Sequence, residues 1–159
     1  MIPTTIASSS ESAQGRWGVD PYSGWLAAIR DLRADWLDGA RPAAGELQSY
    51  LASVPTDQQP EAREDLVAEH LRLSWEAGCG QLLEQYSLPN LPTELIEDEF
   101  LARYSVPFGD TPLPEEYAGR FGSGEVLARL QQRQLAGGRY VKLRRLGIGG
   151  MADVYEAYD

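Results

Sequence analysis

The chain has 159 residues, 43% of them apolar, with four Trp and eight Tyr. That is length for one domain and a remainder, and it is too rich in apolar and aromatic residues for a wholly disordered acidic tail. The formal net charge of −10 argues against a nucleic-acid partner.

The longest strongly apolar run, residues 25–29, is five residues long, against the roughly 20 that a membrane helix needs, so no membrane partner is expected within this chain. Residues 1–15 contain no basic residue and no apolar segment of the roughly 7–15 residues found in a secretory signal. The single cysteine, Cys79, has no partner for an internal disulfide. Both features point to the cytoplasm. Cys79 lies between Gly78 and Gly80 and reads as a helix-end or loop residue without chemistry.

Residues 1–20 are rich in Ser, Thr, Gly and Gln and read as a disordered lead-in. Ser23 suits the cap of a helix running to about Asp38, with Trp25, Ile29, Leu32 and Trp36 on one face and Gly39 as its stop. A short helix is predicted over 46–53, ended by Pro55. A longer one is predicted over 60–77, with Pro60 in its first turn. Glu61, Glu64 and Asp65 favour that helix's positive end. Leu66, Val67, Leu71, Leu73 and Trp75 form its inner side, shared by His70, which reads as a satisfied or half-exposed histidine because no second histidine exists to make a metal site. Leu82, Leu83 and Tyr86 mark a short helix closed by Pro89.

Thr93 begins the next helix, to about Tyr104, with Ile96, Phe100 and Tyr104 on one stripe. Glu94, Glu97, Asp98 and Glu99 crowd its first half. Such carboxylates suit acid–base or metal chemistry, but negative charge is also favoured near a helix N-terminus, and they read as a solvated face. A short helix surrounds 115–120, and a last one covers 124–135 with Val126, Leu127 and Leu130 inward, ended by Gly137 and Gly138.

A faint repeat runs through this region. Leu66-Val67-Ala68-Glu69 resembles Leu95-Ile96-Glu97-Asp98. Tyrosine-bearing segments follow at Leu83–Tyr86 and Pro114–Tyr117, with a third copy at Gly45–Tyr50. The tyrosines are 36 and 31 residues apart, a spacing found in stacked helical repeats.

After Gly138 the composition shifts. Residues 139–159 carry a net +1 and contain Lys142, the only lysine, leaving −11 on residues 1–138. Tyr140, Leu143 and Leu146 alternate imperfectly with Lys142, Arg144 and Arg145, as in a half-exposed strand. Gly147, Gly149 and Gly150 follow, a stretch whose backbone N–H groups can meet phosphate oxygens. A Walker loop fails because no lysine follows Lys142. Gly147, Gly149 and Ala152 satisfy the dinucleotide fingerprint, but Arg144 and Arg145 suit its buried strand poorly, and Val154-Tyr155 favour a strand over the helix it requires. The order strand, glycines, strand matches the kinase pattern G-x-G-x-x-G-x-V.

Residues 140–159, with Leu146-Gly-Ile-Gly-Gly-Met-Ala-Asp-Val154-Tyr-Glu-Ala-Tyr-Asp159, resemble the opening of a bacterial eukaryotic-like serine/threonine protein kinase domain. The resemblance covers about 20 of 159 residues and departs at Ala152, where the third glycine usually stands. It implies an ATP site, with Mg²⁺ in a complete domain, drawing on Leu146, Gly147, Ile148, Gly149, Gly150, Met151, Ala152, Asp153 and Val154. Leu146 and Val154 would sandwich adenine, the glycines would fold over the phosphates, and Met151 would cap them. Tyr155 and Ala157 would help to build the small lobe.

The lysine, metal-binding and catalytic groups of that family have no counterpart in these residues, so the chain alone is expected to be non-catalytic. The resulting expectation is a mostly α chain: a lead-in over 1–20, a small repeat-like helical regulatory or interaction domain over 21–136, and a β-hairpin over 139–159 that begins a protein-kinase small lobe. The expected partners are ATP, protein substrates of the parent kinase and a protein docking on the helices. A stand-alone helical interaction module with an incidental glycine-rich tail is the alternative.

Overall fold

A computed structural model describes residues 23–106, 111–122, 124–135, 140–148 and 153–158. The lead-in over 1–20, the Gly137-Gly138 stop and the loop residues Gly149, Gly150, Met151 and Ala152 lie outside the described residues.

The described chain is mostly helical. Helix α1 (Ser23–Leu37) includes Ser23 and ends before Gly39, whose φ of +84° suits glycine. The 3-10 helix η1 (Ala44–Ser53) follows, and its entry is closed by the Glu46 carboxylate accepting the Ala43 N–H at 2.6 Å. Helix α2 (Gln59–Glu76) carries Pro60 in its first turn, where the missing N–H costs nothing. A second 3-10 helix, η2 (Leu83–Tyr86), is closed in the same manner as the first, the Gln85 amide oxygen accepting the Leu82 N–H at 2.8 Å. Helices α3 (Thr93–Tyr104), α4 (Pro114–Phe121) and α5 (Gly124–Arg133) complete the helical part. Helix α5 stops two residues earlier than its pattern predicts, because Gln134-Leu135 leave it as the short strand β1 and pair with Val141 and Tyr140.

One core joins these elements. Ala28 and Leu32 of α1, Leu47 and Leu51 of η1, and Leu66, Val67 and Leu71 of α2 are buried together with Phe100, Tyr117, Val126 and Leu130. Trp25, Ile29, Leu73 and Tyr104 are only partly buried against it. Trp36 and Trp75 are half-buried as well. The aromatic stripe of α1 is therefore a boundary layer, and the small residue Ala28 is the one that reaches full burial beside Leu32.

The same polar contact recurs three times between a long helix and the shorter helix after it. Tyr50 of η1 donates its hydroxyl to Asp35 of α1 at 2.6 Å. Tyr86 of η2 meets Nδ1 of His70 on α2 at 2.7 Å, while Nε2 lies 2.7 Å from the Pro42 carbonyl oxygen. That carbonyl only accepts, so Nε2 carries the proton and the Tyr86 hydroxyl donates to Nδ1. Tyr117 of α4 donates to Glu99 of α3 at 2.9 Å. His70 is fully buried and satisfied at both ring nitrogens. Burial, only partly opposed by the Pro42 contact, holds its pKa below the ordinary value.

Strand β2 (Tyr140–Ile148) pairs antiparallel with β3 (Asp153–Tyr158), and the three strands lie in the order β1-β2-β3. Two register shifts, between Lys142 and Arg144 and between Arg145 and Gly147, place one additional β2 residue against β3 each time. Val141 is fully buried in the core shared with the helices, so β2 is anchored to the helical part at its first turn of ladder.

Candidate functional site

Two places are candidates for a site. The first is the glycine-rich segment. Gly147 stands opposite Val154 and Ile148 opposite Asp153, so the pairing of β2 with β3 brings the two ends of the segment together. Of the nine residues assigned to ATP, Leu146, Gly147 and Ile148 lie on β2 and Asp153 and Val154 on β3, whereas Gly149, Gly150, Met151 and Ala152 are outside the described residues.

The second is a cleft of about 430 Å³ between the three long helices. Its apolar lining comes from Ile29 of α1, Ala68 of α2 and Leu101 and Ala102 of α3. Its charged lining is Arg33, Asp65, Glu69, Arg72 and Asp98. Glu69 receives Arg33 at 2.7 Å and Arg72 at 2.6 Å, and Arg72 also reaches Glu76 at 2.6 Å. Burial alone would raise the Glu69 pKa, but the bonds from Arg72 and Arg33 outweigh it and hold the carboxyl below its usual range. Asp65 accepts the Trp25 indole N–H at 3.1 Å. Asp98, half-buried in the lining, lies within reach of the Arg133 charge without an ion pair among the described residues. Burial, with the neighbouring charges of Glu97, Asp65 and Glu94, pushes its pKa up to about 6 against the partial relief given by Arg133.

Glu94 is exposed as the sequence reading expects, but two other carboxylates of α3 correct that reading. Glu97 and Glu99 are buried, not solvated. Glu99, with no exposure, accepts the Leu83 N–H at 2.8 Å, the Tyr117 hydroxyl, and both arms of the Arg120 guanidinium at 2.6 and 3.1 Å. Arg120 also holds Glu84 through a second pair of contacts at 2.9 and 2.6 Å, and stacks over Tyr117 and Phe121 at 4.9 and 4.7 Å from the ring centroids. Burial alone would lower the Arg120 pKa; Glu84 and Glu99 reverse that and hold it above its ordinary value. Glu97 binds Arg129 and, at 2.5 Å, Arg133. The arginines lie 21 to 36 residues downstream of their partners. A local reading along α3 sees only the negative charges and the helix dipole. The available signal was the set of arginines in the last turns of α4 and α5.

Among the described residues, no group of three or more His, Cys, Asp or Glu is placed to hold a metal ion, and no helix is long and apolar enough to cross a membrane. Cys79 is exposed, with an Arg41 guanidinium nitrogen 3.5 Å from its sulfur. No protein family, curated protein or solved structure matches the chain.

Proposed function

We propose that the chain is the N-terminal portion of a serine/threonine protein kinase, with residues 139–159 opening the small lobe and residues 21–136 acting as a regulatory or interaction module. The single observation that carries the kinase half is the string from Leu146 to Asp159, with a glycine-rich segment between two strands. The antiparallel pairing of Gly147 with Val154 supports this reading. In this role, backbone N–H groups of Gly147, Gly149 and Gly150 cover the ATP phosphates, and Leu146 and Val154 hold the adenine. Phosphoryl transfer is mostly positioning and charge neutralisation by Lys and Mg²⁺. No lysine follows Lys142 in these residues, so transfer to protein Ser/Thr belongs to groups beyond them.

The recurrent tyrosine contacts support the repeat-like organisation of the helical module. Three times a long helix presents a polar side chain, Asp35, His70 or Glu99, to a tyrosine of the shorter helix that follows. A specific observation favours the alternative, a stand-alone helical interaction protein: burial of Val141 and pairing of β1 with β2 make the sheet continuous with the helical core. Reading the gene past the codon for Asp159 separates the two. The kinase proposal expects Ala-x-Lys within about 10–25 residues, then an H-R-D-type loop and D-F-G; their absence in every frame overturns it. Deleting residues 21–136 from the full-length protein tests the module, which is overturned if partners, localisation and activity are unchanged.

A further inference from the structure

The cleft between α1, α2 and α3 is lined by the three long helices, and packed helices offer such shared surfaces to partners. Its two arginines are already engaged, Arg33 and Arg72 by Glu69. Asp98 has no hydrogen bond or ion pair to a described residue, Arg133 reaches it only through its charge, and it stands beside the apolar lining of Ile29, Ala68 and Leu101. A carboxylate taken partly out of water with only a distant cation to relieve it is costly, and a bound cation offsets that cost. The cleft's own lining sets Asp65, Glu69 and Asp98 against Arg33 and Arg72, a net of −1 that favours a cation.

We propose that this cleft docks a protein segment presenting a lysine or arginine among apolar residues, with the cationic head on the Asp98 carboxylate and the apolar neighbours against Ile29, Ala68 and Leu101. The occupant is a protein segment because a cleft of about 430 Å³ far exceeds one ammonium or guanidinium head, and the apolar lining rewards a flanking side chain. The assignment rests on the interaction-module half of the proposed function and is independent of the kinase half.

Fluorescence anisotropy at pH 7.5 with the whole 159-residue chain tests it. The probe is a labelled dodecapeptide of alternating leucine and alanine with one central lysine, compared with the same peptide carrying glutamate there. The lysine peptide is expected to bind saturably, and the glutamate peptide at least about tenfold more weakly. Asp98→Asn is expected to weaken the lysine peptide by about tenfold or more, and Asp98→Lys to invert the preference. If circular dichroism shows Asp98→Lys unfolded, the Asp98→Asn comparison decides.

Equal binding of the two peptides, insensitivity to Asp98→Asn, or no saturable binding up to about 1 mM overturns the proposal. Competition by N-acetyl-lysine amide at the same concentration as the peptide also overturns it, in favour of a small cation. Failure of peptide binding overturns the cleft alone, because the interaction-module reading is decided separately by the deletion of residues 21–136.

Discussion

Glu99 shows how much one side chain of this protein holds. It has no exposure and ties η2, α3 and α4 together through Leu83, Tyr117 and Arg120. Removing one partner of a buried ion pair strands the other, which costs about 3–5 kcal/mol. Glu99→Ala is therefore expected to lose about that much in urea denaturation, whereas Glu125→Ala, at a carboxylate 71% exposed, changes stability by no more than about 0.5 kcal/mol. His70 is the sole histidine and is held neutral by burial. Its folded pKa lies below the unfolded value, so as pH falls through 6.5 the unfolded chain takes up the proton first and stability is lost. The imidazole resonances in NMR should titrate below 6.5 in the folded chain. Asp98 has the opposite sign. Its pKa of about 6 lies above the ordinary 3.8, so the stability linked to its proton is present below 3.8 and lost as pH rises through about 6. Asp65 on α2, Glu94 and Glu97 on its own helix, and Arg133 on α5 set that value together with burial. Asp98→Asn is expected to raise the melting temperature at pH 7.5, with the gain shrinking toward pH 4.

At the scale of elements, helix starts and stops follow local chemistry. Pro60, Gly39 and the proline before Thr93 sit where helix ends need them, so these boundaries were legible from the residues alone. The approach of α1 to η1 was not, because it depends on Gly24. A Cβ built there would lie 2.3 Å from the backbone oxygen of Ser53, and backbone cannot yield as a flexible side chain can. Gly24→Ala is expected to destabilise the chain by about 1–3 kcal/mol in thermal or urea unfolding. Gly45→Ala, where nothing lies within 4 Å, is the matched control and is expected to be neutral or slightly stabilising. The end of α5 was misplaced by two residues because the competitor for Gln134-Leu135 is a strand partner that only the fold supplies.

At the scale of the whole molecule, Val141 joins the sheet to the helices. It lies on β2, pairs with β1 and is buried in the shared core. Val141→Ala is expected to cost about 2 kcal/mol and to lower the unfolding temperature followed by helical circular dichroism. A sheet that unfolded independently would leave that helical signal unchanged.

The mostly helical class and the order of the helices were legible in the residues alone. Both rest on periodicity and end signals, which act over a few neighbouring positions. Only the tertiary structure decided the fate of the α3 carboxylates. Burial is a property of the whole packing, and the arginines that make burial of Glu97 and Glu99 affordable come from α4 and α5. The cleft at Asp98 likewise exists only once three helices, distant in the chain, stand side by side. Local patterns set what each segment can become; long-range charge pairing and packing determine which of its side chains meet water.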